Sequence, residues 1–168
     1  MITDDAIGET FAASAKSFCA LIDRRATLSE WEFMREVTER LADLYHSGLL
    51  LIRLDADTDA FDLLTKRPSN DEWHVVYKEL EDKFTDRGVY WEVFDPRTKT
   101  EPLSTTLADD LADIYLEIKI GLDPFYAGRK EESICHWRVS FVIHWGDHLV
   151  DALRFLHRII AAHVIDEL

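Results

Sequence analysis

The sequence predicts an all-α fold: a single-domain helical bundle of about five helices that spans residues 1–168 and has a long central C-terminal helix. Apolar side chains recur at the three- and four-residue spacing of helices along most of the chain. Ser or Thr followed three residues later by Glu, the capping-box pattern, precedes several of these apolar runs. The 168 residues, of which 47% are hydrophobic, supply the core of one domain.

The first two helices are predicted to pack as an antiparallel pair joined by a short turn. Their apolar positions are Phe11, Ala15, Phe18 and Ile22 in the first helix, and Trp31, Met34, Leu41, Leu44 and Tyr45 in the second. Two overlapping capping boxes, Thr27 with Glu30 and Ser29 with Glu32, mark the start of the second helix. We expect that helix to end near Gly48.

A third helix and an ordered connector follow. Ser69 with Glu72 forms a further capping box at the start of the helix. Its apolar positions are Trp73, Val76, Tyr77, Leu80 and Phe84. Between Gly88 and Pro102, the segment VYWEVF alternates and is rich in β-formers, but Pro96 and Pro102 limit any strand to a short one.

Helix four is expected from about Thr106 to Gly121, and the final helix from about Glu132 to His163. The apolar face of helix four consists of Leu107, Leu111, Ile114, Tyr115, Ile118 and Leu122. In the final helix, only Gly146 interrupts the helical pattern, and apolar side chains cover most of the circumference. A helix of this kind belongs in the centre of a bundle.

Titratable side chains form a seam where helix four and the final helix are expected to face each other. The polar positions within about a third of a turn on the final helix are Ser140, His144, Asp147, His148, Asp151, Arg154 and Arg158. We define the polar seam as Asp109, Asp110, Asp113, Tyr115, Glu117, His144, His148, Arg154 and Arg158. Like charges at four-residue spacing on helix four repel, so we expect either the arginines or a metal ion to compensate them.

Two interpretations of the polar seam remain open from the sequence. In the first, a divalent metal ion is bound between helices four and five, and its candidate ligands are Asp109, Asp110, Asp113, His144 and His148. Asp147 or Asp151 is then the catalytic candidate that orients an imidazole or activates water. In the second, the seam is a hydrogen-bonded structural network that fixes the register of the helices.

Charge and cysteine content restrict the location and the partners. Thirty-three acidic and nineteen basic side chains give a net charge of −14, which disfavours nucleic acid and anionic membrane surfaces. Cys19 and Cys135 lack CxxC spacing, and we expect both to be reduced and buried. The acidic N-terminal segment and the lack of an apolar run of roughly 20 residues predict a cytoplasmic protein.

The common catalytic motifs are missing from the sequence. The histidine pair reads HWGDH and lacks the Glu of HExxH, which argues against a zincin peptidase. Six glycines leave little capacity for a glycine-rich phosphate loop, and no GxSxG elbow is present. Covalent catalysis and nucleotide-binding αβ folds therefore have no support.

Two motifs carry a resemblance to a known family. LADDLADIY holds Asp109, Asp110, Asp113 and Tyr115, and HWGDH holds His144 and His148. With the run VYWEVFDPRTKTEPL, they resemble a bacterial all-helical conserved domain of unknown function over roughly residues 10 to 163. The resemblance implies an all-helical fold and brings no activity, so no catalytic residue is carried over from it.

The sequence favours a noncatalytic, acidic protein-interaction or regulatory module that binds another protein. The alternative is a metal-dependent hydrolase of a phosphate ester or nucleotide that uses the Asp/His residues of the seam. LADDLADIY is similar to the acidic helix of all-α nucleotide pyrophosphohydrolases, although the first ExxE-type half of that pattern is missing. The sequence leaves open whether the protein is an enzyme, whether it binds a metal ion, and what its oligomeric state is.

Overall fold

A computed structural model of the chain describes residues 4–54, 70–93 and 95–167. The helices are α1 Asp4–Asp23, α2 Glu30–Leu51, α3 Asn70–Phe84, α4 Leu107–Tyr126, α5 Lys130–Ser140 and α6 Gly146–Asp166. The strands are β1 Val89–Glu92 and β2 Leu103–Thr106. A π-helical segment, Phe141–Trp145, joins α5 to α6, and short 3-10 turns lie at Arg25–Thr27 and Thr85–Gly88.

The predicted helical bundle is confirmed. Its five parts are α1 to α4 and the long C-terminal helix formed by α5, the π segment and α6. Helix α4 packs against α1, α3, α5 and α6, and α6 also packs against α2. One hydrophobic core joins all of these helices, and its largest fully buried side chains include Phe11, Phe33, Phe125, Trp137 and Trp145.

The start of α2 is set by the second of the two predicted capping boxes. The Ser29 Oγ accepts a hydrogen bond from the Glu32 backbone N–H at 3.3 Å, and the Glu32 carboxylate accepts one from the Ser29 N–H at 3.0 Å. Thr27 instead donates to the Arg24 carbonyl at 2.8 Å, so it does not cap the helix. The box predicted at Ser69 lies outside the described residues.

Two helix ends predicted at glycines were wrong, because both helices continue past the glycine. A Cβ at Gly48 would lie 3.1 Å from the Phe141 ring, and one at Gly121 would lie 2.4 Å from the Trp137 indole. Both glycines lie inside their helices and make room for an aromatic ring of the C-terminal helix. The sequence pattern does not distinguish this close approach from a helix end.

The connector before α4 contains an antiparallel hairpin. Val89 pairs with Thr106, and Glu92 pairs with Leu103. The first strand coincides with the short strand that VYWEVF allows, whereas the second strand, LSTT, was not predicted. Thr106 ends β2 and also caps α4, since its hydroxyl accepts a hydrogen bond from the Asp109 N–H at 3.1 Å.

The prediction that only Gly146 interrupts the final helix was wrong, because the π segment precedes that glycine. Ser140 and Gly146 both keep right-handed helical dihedral angles, so the helical path is continuous. Ser140 is buried; its hydroxyl donates to the His136 carbonyl at 2.7 Å and accepts from the Trp145 indole at 3.0 Å. Ser140 is therefore excluded from the polar strip in which the sequence placed it.

Both cysteines are buried thiols, as predicted. Burial, together with the charge of Asp23, raises the pKa of Cys19 far above its ordinary value, which keeps this thiol protonated and unreactive. Of the helices in the described ranges, none has the length and apolar character needed to cross a membrane.

Candidate functional site

The polar seam of α4 meets the histidines of the C-terminal helix at one partly exposed position. We call this the Asp/His cluster, and it consists of Asp109, Asp110, Asp113, Glu117, His144 and His148. The α4 residues face α6 because α4 packs directly against it. His144 lies in the π segment and His148 in the first turn of α6. Helix α3 and strand β1 add further contacts to the cluster.

His148 is held through one ring nitrogen by a buried carboxylate. Its Nδ1 lies 2.9 Å from Oδ1 of Asp110, whose side chain is fully buried. The other oxygen of Asp110 accepts a hydrogen bond from the Tyr90 hydroxyl of β1. Asp110 is therefore fixed on both sides, and the His148 Nε2 is directed away from it, 3.5 Å from Oδ2 of Asp113.

Asp113 is fixed in the same way, with one oxygen held and the other turned to the histidines. The Trp73 indole of α3 donates to Oδ1 of Asp113 at 2.6 Å. The Oδ2 atom faces two ring nitrogens, Nε2 of His148 at 3.5 Å and Nε2 of His144 at 3.9 Å. Both histidines thus present the same ring atom to one carboxylate oxygen.

A carboxylate also lies beside the second nitrogen of His144. The Nδ1 atom of His144 lies 3.7 Å from Oε1 of Glu117. The other oxygen of Glu117 lies 3.4 Å from Nε2 of His136. The His136 Nε2 also lies 3.1 Å from the Glu117 backbone carbonyl. The rings of His144 and His148 meet edge to face with centroids 5.0 Å apart.

Three atoms therefore converge on one point: Oδ2 of Asp113, Nε2 of His144 and Nε2 of His148. Candidate metal-binding atoms of these three residues lie within 4.8 Å of one another. The separations of 3.5 and 3.9 Å are too long for hydrogen bonds. Ligands bound at roughly 2.0–2.1 Å to one tetrahedral ion lie about 3.4 Å apart, so the spacing fits a shared ion.

A second group of metal-binding atoms contains Asp109, Asp110 and His148, also within 4.8 Å. In this group a direct hydrogen bond at 2.9 Å already joins the Asp110 carboxylate to the Nδ1 atom of His148. Asp109 is half-buried, and burial, with the neighbouring charges of Asp113 and Asp110, raises its pKa. This second group is therefore better described as a hydrogen-bonded pair with a crowded carboxylate beside it.

Opposing influences set the protonation of His148. Burial is the largest single influence and lowers its pKa, but the hydrogen bond and charge of Asp110, with the charges of Asp113 and Asp109, outweigh it. Together they raise the pKa of His148 from 6.5 to about 9. In the metal-free protein at neutral pH, this imidazole is a cation between carboxylates.

Two acids on neighbouring elements extend the negative charge of the cluster. Burial, and then the charges of Asp110 and Asp151, raise the pKa of Glu92 on β1. Burial also raises the pKa of Asp151 on α6, while the charge of Arg154 opposes the shift. These interactions place both acids beside the Asp/His cluster.

Not every predicted seam residue joins the cluster. Tyr115 donates to Asp23 of α1 at 2.6 Å and accepts from Lys119 at 2.8 Å, so it serves a separate network. Arg154 lies 3.4 Å from Asp151 and donates to the Trp91 carbonyl at 3.3 Å.

The remaining predicted positions are exposed. Arg158 and Asp147 are both exposed on α6. Arg154 forms its ion pair with Asp151 of its own helix rather than with an acid of α4.

Four residues of the site were missed from the sequence: Trp73, Tyr90, Glu92 and His136. The alternation of VYWEVF holds a signal for two of them, because residues two apart on a strand share a face. Tyr90 and Glu92 are the inward positions of β1, and Tyr90 stacks on Phe155 of α6 at 4.7 Å. Trp73 lies at a helix position that the apolar pattern assigned to the core, and His136 lies on the final helix outside the polar strip that the sequence indicated.

Comparisons with known proteins agree with this fold. A crystal structure of protein BF1032 from Bacteroides fragilis is similar with a TM-score of 0.73 and 22% identity, over 93% of this chain and 92% of that chain. At that identity the likeness describes the fold alone. The comparison with curated proteins finds no match. Residues 3–162 match a family profile, which confirms the resemblance seen in the sequence. The chain belongs to the family described as Domain of unknown function (DUF5063).

Proposed function

We propose that the protein binds one divalent transition-metal ion through Asp113, His144 and His148. The observation that carries this proposal is the convergence of two Nε2 atoms on the free oxygen of Asp113 at 3.5 and 3.9 Å. Two imidazole nitrogens and one carboxylate oxygen suit zinc, iron, cobalt or nickel, whereas magnesium and calcium prefer oxygen ligands alone.

The groups behind the three ligands support the proposal. Metal-bound histidines usually have a carboxylate or carbonyl at the other ring nitrogen, which fixes the ring and its tautomer. Asp110 serves His148 in this way, and Glu117 lies beside the corresponding nitrogen of His144. The Trp73 indole fixes Asp113, so each ligand has an orienting neighbour.

The charge of the site supports the same conclusion. Asp109 and Asp113 lie four residues apart on α4 and repel each other. Both are partly buried, where a carboxylate is costly unless its charge is offset, and one protonated His148 offsets only part of the negative charge of the cluster. A divalent ion between Asp113 and the histidines would offset this repulsion and would replace the proton on His148.

Calorimetric titration of the tag-free, chelator-treated protein with ZnCl2 and CoCl2 tests the proposal. We expect one ion per chain, and a loss of affinity of at least 100-fold in His144→Ala and in His148→Ala. His157→Ala is the matched control, because His157 is an exposed histidine of α6 outside the cluster. Equal affinity in all four proteins, or no binding to the wild type, contradicts the proposal.

We propose a protein partner as a second function. It is favoured by two adjacent apolar side chains on the π segment, Val142 and Ile143, which are 60% and 66% exposed. Contiguous exposed apolar surface marks sites of protein contact, and these two side chains adjoin each other next to the proposed ligand His144. Affinity purification with wild type and with the Val142→Asp, Ile143→Asp double variant tests it: a partner retained equally by both contradicts this surface.

We also propose a cytoplasmic location. The buried thiols of Cys19 and Cys135 suit a reducing compartment. Fractionation of the source cells, with detection by antibody, tests the location.

A further inference from the structure

We propose that the metal centre is catalytic: it activates water for hydrolysis of a carboxylic ester or amide that carries a positive charge near the scissile bond. This inference rests on the metal binding proposed above and goes beyond it. It assigns Asp109 as the catalytic residue that accepts the proton of the attacking water, and Glu92 and Asp151 as the groups that select a cationic substrate.

The number of ligands is the first argument. Structural zinc sites are closed by four protein ligands, whereas catalytic sites use three and leave one position for water. Among the residues that the structure describes, Asp113, His144 and His148 form a group of three whose ligand atoms lie within 4.8 Å of one another. Asp109 is close to His148 but is not a member of that set.

The exposure of the ligands is the second argument. The side chains of Asp113, His144 and His148 are 25%, 42% and 24% exposed, so the open position faces solvent rather than the core. On the opposite side, the Asp110 carboxylate is fully buried. A substrate therefore has access to the ion from one side only.

Asp109 is placed to accept a proton from water at the open position. It lies on the same face of α4 as Asp113, one turn before it. One of its oxygens lies within 4.8 Å of a ring nitrogen of His148, and its backbone is fixed by the Thr106 cap. Because Asp109 is not part of the group formed by Asp113, His144 and His148, its carboxylate is available to accept a proton from the attacking water.

The charges around the open position select the substrate. Glu92 shares the inward face of β1 with Tyr90, which donates to Asp110. Asp151 follows His148 by three residues on α6 and has Arg154 as its ion-pair partner. A phosphate group would be repelled by these acids, and only the divalent ion would attract it. An ammonium or guanidinium group on a neutral carbonyl compound is instead attracted.

The reaction balances without a further reactant. Water loses one proton to the Asp109 carboxylate, and its oxygen forms a bond to the carbonyl carbon. The bond from that carbon to the alcohol oxygen or amine nitrogen then breaks, and Asp109 returns the proton to the leaving group. The bound ion supplies polarisation of water and of the carbonyl group, and nothing is oxidised or reduced.

Two measurements on the cobalt-loaded protein test the inference. Azide should change the visible absorption spectrum, because it replaces water at the open position. Lysine 4-nitroanilide should be hydrolysed with a kcat/KM at least 10-fold above that for glutamate 4-nitroanilide. Bis(4-nitrophenyl) phosphate is the probe for the phosphate-ester alternative, and its kcat/KM should be lower than that of either 4-nitroanilide.

Two variants separate the roles of the acids. Asp109→Asn should lower kcat about 100-fold, the usual contribution of a general base, while cobalt affinity changes less than threefold. Glu92→Gln should reduce the preference for the lysine over the glutamate substrate, again with cobalt affinity retained. Full activity of Asp109→Asn overturns its assignment as the base, and an unchanged preference in Glu92→Gln overturns the charge argument.

The outcomes also separate this inference from the metal-binding proposal. A protein that binds cobalt but shows no azide response and no hydrolysis overturns the catalytic inference and leaves metal binding intact. Hydrolysis of the phosphate diester alone overturns the substrate class. Failure to bind cobalt at all overturns the metal-binding proposal itself.

Discussion

Stability of the metal-free protein should fall as the pH rises above 6.5, because of His148. The pKa of this imidazole is raised from 6.5 to about 9 in the folded chain, chiefly by Asp110, against the opposing effect of burial. The folded state therefore holds a proton that the unfolded state releases near pH 6.5. The stabilisation is fully present below pH 6.5 and is lost as the pH passes through about 9.

The size of the effect follows from the two pKa values. A rise from 6.5 to about 9 corresponds to about 3 kcal/mol, since each pKa unit corresponds to about 1.4 kcal/mol. Between these pH values, the free energy of unfolding should fall by about 1.4 kcal/mol per pH unit. The pKa values of Asp109, Glu92 and Asp151 are also raised in the folded state, so these acids lower the stability as the pH rises above their ordinary values of 3.8 and 4.5.

Urea denaturation at pH 6, 7, 8, 9 and 10 in EDTA, followed by circular dichroism, measures the effect. His148→Gln removes the titrating group and should reduce the slope between pH 7 and 9. Asp110→Asn should also reduce it, since Asp110 supplies both the hydrogen bond and the largest favourable charge. NMR titration of the wild-type imidazole gives the pKa directly.

The same pH dependence in wild type and in His148→Gln would refute the reasoning. A measured pKa for His148 below 6.5 would do so as well, because burial would then outweigh the carboxylates. Zinc provides a further check: ion binding replaces the proton, so saturating zinc should remove most of the slope attributed to His148.

Four other variants test individual contacts. Tyr90→Phe removes the hydroxyl that fixes Asp110 and should weaken zinc binding at least 10-fold by calorimetry, with the fold retained; unchanged affinity contradicts this positioning role. Thr85→Gly should stabilise the protein by about 1 kcal/mol in urea, because Thr85 has φ of 52°. Gly128→Ala should destabilise it by about 1 kcal/mol, because φ is 93° there, although a Cβ would touch nothing within 4 Å. Gly121→Ala should cost about 1–3 kcal/mol by overpacking against the Trp137 indole, and a neutral result would show that the indole can move.

The helices were predictable because their signals are local. A capping box such as Ser29 with Glu32 and an apolar stripe each involve residues within one or two turns. The ends at Gly48 and Gly121 were not predictable, because those glycines respond to Phe141 and Trp137 of the C-terminal helix. A glycine inside a helix that touches a distant ring looks, in the sequence, the same as one that ends a helix.

The candidate site was predictable in the part that lies on α4 and on the long C-terminal helix. Four-residue spacing places Asp109 and Asp113 on one face of α4, and His144 and His148 are one turn apart. The hairpin contribution was not predictable, because pairing of β1 with β2 depends on residues more than ten positions apart. The contacts that orient Asp110 and Asp113, from Tyr90 and Trp73, join residues far apart in the sequence and were therefore not predicted.

The π segment explains why a helical wheel was right about the histidines and wrong about Ser140. A π turn holds one more residue than an α turn, so the residues before it are rotated by roughly 100° relative to a regular helix. His144 lies near the end of the segment and keeps its relation to His148, whereas Ser140 lies before it and turns into the core. Val142 and Ile143 of the same segment are exposed beside His144. Because π segments often lie at functional sites, its position at a proposed metal ligand supports the site independently of the carboxylates.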